Sequence, residues 1–423
     1  MSDLLSTSAI WTMVVGILAG ACCASVGCYL VLRRMSMLGD AISHSVLPGI
    51  AVAVLWSGEF GGWPSFVGAL ALGGLCTLLI ELLHRQGGLS ADSSMGVVFS
   101  GLFSLGVIII TREARRKHID ADCILFGLIE AVPLDTVPLA GMQIPRAVLT
   151  LGAVAILVTA VILLLWKEFK IVSFDAALAS AMGLSASVVH YLLMTLVAIV
   201  AVACFEAVGS IVVVALFIVP PATAHLLTDR LGTMMALSIV VSAVAAVVGY
   251  ILAAIFNTSV AGMIAVVCGM EFALAVILGP RHGILSKMYR QFSLSVRIAA
   301  EDYLGRLFRE EEVLQGQRPA ESVPTAPTAG VLIDRFARRY AKQAGWIAQQ
   351  GESTVLTQPG RLRAEEVVQS HRLWQEFAGG NLSLPADHRH EAAHRLEHII
   401  SPALRDELAR EIRSYDHGDD LPK

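Results

Sequence analysis

The sequence predicts an all-α polytopic membrane protein joined to a water-soluble C-terminal part. Three observations carry this reading. Of 423 residues, 55% are hydrophobic and the mean hydropathy is +0.68. Only 16% are charged, against about a quarter in soluble domains. The charge is also unevenly placed: residues 1–280 hold 11 Lys+Arg and 15 Asp+Glu, and residues 281–423 hold 20 of each. An ordinary soluble enzyme, a disordered chain and a collagen-like chain are excluded.

A bilayer-spanning helix needs about 20 apolar residues. Stretches that meet this fall near 9–32, 41–57, 64–83, 95–111, 146–166, 188–205, 210–227, 231–256 and 260–279. The link Glu206–Ser210 is so short that the flanking segments could be distorted or re-entrant, so eight or nine spans are expected. The stretch 120–143 is interrupted by Pro133, Asp135 and Pro138 and reads as a surface or re-entrant segment. With nine spans, Arg33, Arg34, Arg85, Lys167, Lys170, Arg230, Arg281 and Lys287 share one side. Basic short loops mark the cytoplasm, so the N-terminus is expected outside and the tail inside. The loop with Arg112, Arg115, Arg116 and Lys117 disagrees.

The tail opens with an amphipathic helical stretch, 285–312, then a Pro/Ala/Thr-rich linker, 315–330. A basic helix is expected over 331–350, a strand or hairpin over 351–360, and helices over 361–378 and 388–413. The expected domains are a transmembrane part (1–283), a connecting helix (284–300) and a cytoplasmic domain (301–423). All seven cysteines lie in the membrane part, six in apolar runs, with no CxxC pair, so neither disulfides nor thiolate metal sites are expected. No basic stretch precedes Ile10, so no cleaved signal peptide is expected.

Two constellations in the membrane part could carry chemistry. Asp40 and His44, in Gly39-Asp40-Ala41-Ile42-Ser43-His44, are four apart and share a helix face. Carboxylate plus imidazole suits Mn, Fe(II) or Zn, and charge inside a membrane is costly. Pro48 has no N–H, so the His44 carbonyl loses its helical donor. A capping Asp beside a bonded core His explains the pair equally well. Two ligands make a weak site, which a two-fold dimer would double. The second constellation, Phe174–Leu184, includes Phe174, Asp175, Ala179 and Gly183. It can form a short cytoplasmic helix that docks a motor subunit, or a plain interfacial loop. Glu206 reads as an exposed carboxylate, His225 as a snorkelling side chain and Glu271 as a paired structural charge; Pro220-Pro221 marks a helix break.

These motifs together resemble the integral-membrane permeases of zinc/manganese/iron ABC importers. The resemblance rests on Arg33-Arg34-Met35, the run Gly39 to Gly49, the Phe174–Leu184 loop, Glu206 to Ser210, Val214-Ala215-Leu216, Pro220 to Ala224 and Leu278-Gly279-Pro280, and covers residues 1–283. It implies that Asp40 and His44 line the translocation route and that Phe174–Leu184 couples to an ATPase.

In the tail, His390, His394, Glu397 and His398 fall on one helical face, and His371 lies on the preceding helix. This is a first-row metal set or a solvated polar face. The tail resembles the metal-dependent repressors of the diphtheria toxin repressor type, through Glu301–Leu304, Leu356 to Arg361, Ser370 to Leu373, His390 to Ser401 and Asp416 to Pro422. That resemblance implies a winged-helix-like part, a helical dimerisation part, and metal ligands at His371, His390, His394, Glu397, His398 and Asp302. Gly305 and Gln375 stand where relatives place further carboxylates. DNA contact by Arg335, Arg338, Arg339 and Lys342 is a weaker expectation, because Pro-rich sequence replaces an expected helix.

The leading reading is a permease subunit in a bacterial inner membrane. Its expected partners are a cytoplasmic ATPase, an extracytoplasmic metal-binding protein, a second permease subunit and membrane lipid. Its ligand is a divalent transition metal, Mn, Zn or Fe. The chain has no GxxxxGK[ST] loop, so it is expected neither to bind nucleotide nor to be an enzyme itself. The alternatives are a proton-driven carrier using Asp40 and Glu271, and a membrane-held transcription repressor.

Overall fold

The computed structural model describes residues 7–35, 37–57, 63–117, 129–139, 142–280, 283–315, 330–350, 353–380 and 404–410. The chain forms two compact units, Met1–Ser286 and Lys287–Lys423.

The first unit is a helix bundle around α1 (Thr7–Leu32). Small residues let α1 be crowded on all sides. A Cβ at Gly20 would lie 2.9 Å from Ser242 Cβ, and one at Gly16 would lie 3.1 Å from Ala246 Cβ. Then follow α2 (Met37–Ser45), α3 (Leu47–Ser57), α4 (Trp63–Arg85) and α5 (Ala91–Lys117). A 3-10 turn (Ile129–Leu134) leads into β1 (Thr136–Leu139) and β2 (Met142–Pro145). The remainder is α6 (Arg146–Leu164), α7 (Trp166–Phe174), α8 (Ala176–Ala181), α9 (Ala186–Val208), α10 (Ser210–Leu227), α11 (Leu231–Phe256) and α12 (Val260–Leu278). Among the described residues, eight helices are long and apolar enough to cross a membrane.

The stretch expected as a continuous span over 41–57 is not one helix. It breaks between α2 and α3, where Pro48 cannot donate to His44. It still crosses the bundle. Arg33 Nη1 lies 2.9 Å from His190 Nδ1, and His190 Nε2 lies 3.2 Å from Glu81 Oε2. The ends of α1 and α4 therefore share a layer with the start of α9. Because α4 begins in the opposite layer, α2 and α3 must carry the chain there. Among the described residues, the crossings are thus eight continuous helices and one broken one.

In the described part of the 120–143 stretch, the chain forms a hairpin rather than a membrane-entering segment. β1 and β2 pair antiparallel, with Thr136 opposite Pro145 and Leu139 opposite Met142. The preceding turn places Glu130 Oε1 2.9 Å from the Val260 N–H, which donates to it and caps α12.

The second unit is built on α13 (Ile284–Leu314), 31 residues long. The connecting helix and the first tail helix expected separately are therefore one helix. α14 (Val331–Gln343) stops short of the expected 350, because Gly345 takes φ 71° and turns the chain. β3 (Ile347–Gln350) and β4 (Ser353–Leu356) then form a hairpin, followed by α15 (Gln358–Gly380). Of the helix expected over 388–413, only 404–410 is described, and it is helical. Ala299 and Ala300 of α13 pack with Ala337 and Ala341 of α14. Glu301, 1% exposed, accepts from Arg297 at 3.2 Å and from Arg363 of α15 at 2.7 Å. Arg361 with Glu311 and Arg372 with Glu312 continue the α13–α15 contact.

Candidate functional site

α2 carries Asp40 and His44 on one face, with His44 Nε2 3.3 Å from Asp40 Oδ1. The Asp40 side chain is 36% exposed and that of His44 24%. The His44 ring sits against Phe99 and Phe103 of α5, with centroids 5.4 and 5.6 Å away. Its Nδ1 is buried without a hydrogen-bond partner. A buried polar atom left unpaired costs about 1–3 kcal/mol. The pair thus offers a carboxylate and an imidazole, both still accessible from one side.

Glycines hold α2 and α3 in place. A Cβ at Gly39 would sit 3.2 Å from the Phe217 ring of α10, and one at Gly73 of α4 would sit 3.5 Å from Ile42 Cγ2. α3 crosses α4 backbone to backbone: a Cβ at Gly49 would lie 2.3 Å from Gly68 O. α10 is interrupted by Pro220 and Pro221. Pro221 cannot bond the Phe217 carbonyl, and Gly27 of α1 closes on that oxygen, leaving only 2.3 Å for a Cβ.

The Phe174–Leu184 loop folds as the short helix α8. Asp175 is its N-cap, with Oδ1 accepting from the Leu178 N–H at 2.9 Å. Gly183, at φ 82°, ends it, and the Leu184 N–H returns to Ala179 O at 3.0 Å. Ala179 is buried, while Leu178 and Met182, one helical turn apart on α8 and its C-cap, are exposed, as is Phe174 at the end of α7. α7 seats this segment on the bundle through Phe169, whose ring lies 5.5 Å from that of Tyr29 in α1.

Close to α8 in sequence, the Arg33–His190–Glu81 network ties α1, α9 and α4 together. Burial lowers the pKa of Arg33. Sequence reasoning used Arg33 to orient the chain and in the Arg33-Arg34-Met35 motif, and missed His190 and Glu81. The signal was a lone carboxylate and a lone imidazole within apolar helices, where each needs a partner.

Glu206 is exposed, as expected. Glu271 carries one carboxylate oxygen, Oε2, that is buried without a hydrogen-bond partner. In the tail, Asp302 lies on α13 and His371, 5% exposed, on α15. His390, His394, Glu397 and His398 fall outside the described residues. Among the described residues, no group of three or more potential metal ligands occurs.

Residues 7–279 match the ABC 3 transport family. Residues 357–420 match the iron dependent repressor, metal binding and dimerisation domain. The manganese transport system membrane protein MntD of Bacillus subtilis (strain 168) is 41% identical over 285 residues, 67% of this chain and 96% of that protein. The zinc transport system membrane protein TroD of Treponema pallidum (strain Nichols) is 33% identical over 351 residues, 82% of this chain and 95% of that protein. A solved structure, PsaBC from Streptococcus pneumoniae in complex with Fab, superposes with a TM-score of 0.57 at 31% identity, covering 66% of this chain and 95% of that one. The family match spans most of the chain and includes the broken helix, the Phe174–Leu184 segment and the Pro-Pro helix, so this chain belongs to the ABC 3 transport family.

Proposed function

We propose that the chain is the permease subunit of an ATP-driven importer of a divalent transition metal, with a tail that senses the same class of metal. The observation that carries the reading is Asp40 beside His44 on a short, broken transmembrane helix, with an imidazole nitrogen lacking a partner. The metal is cargo here. Two ligands hold it loosely, as a transit site requires, and a second permease subunit meeting at this face supplies another pair.

The layer holding Arg33, α8 and the end of α12 faces the cytoplasm in this reading, in keeping with its basic loops. There the exposed Phe174, Leu178 and Met182 dock a separate ATPase, and an extracytoplasmic binding protein delivers the ion to the opposite side. The tail holds metal through His371, Asp302, His390, His394, Glu397 and His398. The β3–β4 hairpin after α14 is the wing of a winged-helix-like part.

The test is metal uptake by cells lacking their own importers. Asp40→Asn and His44→Gln should each abolish uptake while the chain still co-purifies with its ATPase. Full uptake by both variants would overturn the site. A second reading, a proton-driven carrier, is favoured by the buried, unpartnered Oε2 of Glu271. It requires uptake without the ATPase and loss of uptake in Glu271→Gln.

A further inference from the structure

The first half of α13 has no acidic residue: from Ile284 to Ala300 its charges are Lys287, Arg290 and Arg297. Met288, Tyr289 and Phe292 stand at helical spacing and are 60%, 73% and 44% exposed. A helix of a soluble domain turns such a row toward its core. α13 does so only further along, where Ala299, Ala300 and Leu304 are buried.

The row continues onto α14. Phe292 meets Phe336 edge to face, with centroids 5.4 Å apart. Phe336 and Leu332 are themselves 44% and 68% exposed. Arg335 and Arg339 are exposed beside them. One surface thus joins large apolar side chains to cations. It belongs to a helix separated from the last membrane span only by residues 279–283.

We propose that this face lies on the anionic leaflet of the membrane that the first unit spans, with its apolar side chains among the headgroups and its cations on lipid phosphates. This rests on the membrane reading of residues 7–278 but not on the metal site. Amphipathic helices with basic polar faces bind in this way, through apolar burial plus attraction to acidic lipid. The connection to α12 is residues 279–283 alone, five residues that span at most about 18 Å when fully extended. Nucleic acid would attract the same cations, but it offers no place for Met288, Tyr289 and Leu332, which is why lipid is preferred.

The experiment uses the full chain in nanodiscs of phosphatidylcholine, alone or with a third of phosphatidylglycerol. Amide hydrogen exchange is followed in peptides covering 284–300 and 331–343. Exchange should slow only in the acidic discs and return to the neutral-lipid rate in high salt. Each basic residue near an acidic leaflet strengthens binding about fivefold. A triple Lys287→Gln, Arg335→Gln, Arg339→Gln variant should therefore weaken it on the order of 100-fold. All three positions are exposed, and the salt titration needs no variant. Equal exchange in both lipids, or slowing that survives the triple variant, would overturn the proposal. So would slowing that appears only with an added DNA duplex, or only when two chains share a disc.

Discussion

The close crossing of α3 and α4 at Gly49 makes a sharp prediction. In Gly49→Ala, the new Cβ would lie 2.3 Å from Gly68 O, 2.8 Å from Gly68 C and 3.1 Å from Leu72 Cβ. Carbon and oxygen rest in contact at about 3.3 Å, so α3 must back away from α4 by roughly 1 Å. No flexible side chain can absorb this, because the obstructing atoms are backbone. Overpacking of this kind costs about 1–3 kcal/mol. Gly49 directly follows Pro48, so the shift passes into the break that positions α2. Misplacing a working group by about 1 Å costs on the order of 100-fold in enzymes, and a comparable loss of metal uptake is expected here. Gly68→Ala should behave alike, since its Cβ would lie 2.6 Å from Gly49 O. Gly74→Ala, on the same helix with nothing within 4 Å, is the control and should be neutral. Thermal melting of purified protein and uptake in cells measure the two effects. A Gly49→Ala protein that melts and transports like the parent would refute the reasoning.

Further substitutions probe the other elements. Leu178→Asp replaces an exposed side chain of α8 and should lose ATPase capture in pull-downs without changing the melting temperature. Glu81→Gln removes the carboxylate from the Arg33–His190 network and should cost about 1–3 kcal/mol in thermal melting. In the tail, Glu301→Gln removes the negative charge that Arg363 and Arg297 share. Breaking a buried pair costs about 3–5 kcal/mol, with the lower end expected because both arginines reach water, and calorimetry of the full chain should show a lowered tail transition. Metal binding by the tail histidines requires neutral imidazole, so affinity measured by calorimetry should fall as pH drops through about 6.5.

The membrane architecture was legible because apolar length is a strong signal and lipid leaves the backbone few alternatives. Pro48 also announced the break in the second crossing, but treating 41–57 as a single apolar stretch smoothed it over. The β1–β2 hairpin was hidden because four-residue strands containing Pro138 and Pro145 carry no alternating pattern to read. The end of α14 depended on one glycine in a left-handed turn, Gly345, amid residues that otherwise suit a helix. Asp40 and His44 were legible as a pair because a turn of helix fixes their relation locally. Glu81 and His190 were not, because 109 positions separate them and only packing of α4 against α9 makes them partners.

What sequence could not show is which neighbours hold α2: it packs against α4, α5, α9 and α10. α2 has nine residues and joins α3 through Val46, where Pro48 cannot bond the His44 carbonyl, so neighbouring side chains help set its position. Phe217 of α10 sits on Gly39, and Gly27 of α1 sits on the Phe217 carbonyl freed by Pro221. α1 in turn meets α7 through Tyr29 and Phe169, and α9 through Arg33 and His190. α7 and α9 flank the exposed helix α8 on either side. An unbroken series of packed groups therefore runs from α8 to Asp40 and His44 within one unit. Interiors packed at this density shift as bodies rather than deform locally. In the permease reading proposed above, a displacement of α7 and α9 would be carried to α2 through α1 and α10, with α2 yielding at Pro48 while the Gly49–Gly68 crossing stays in place.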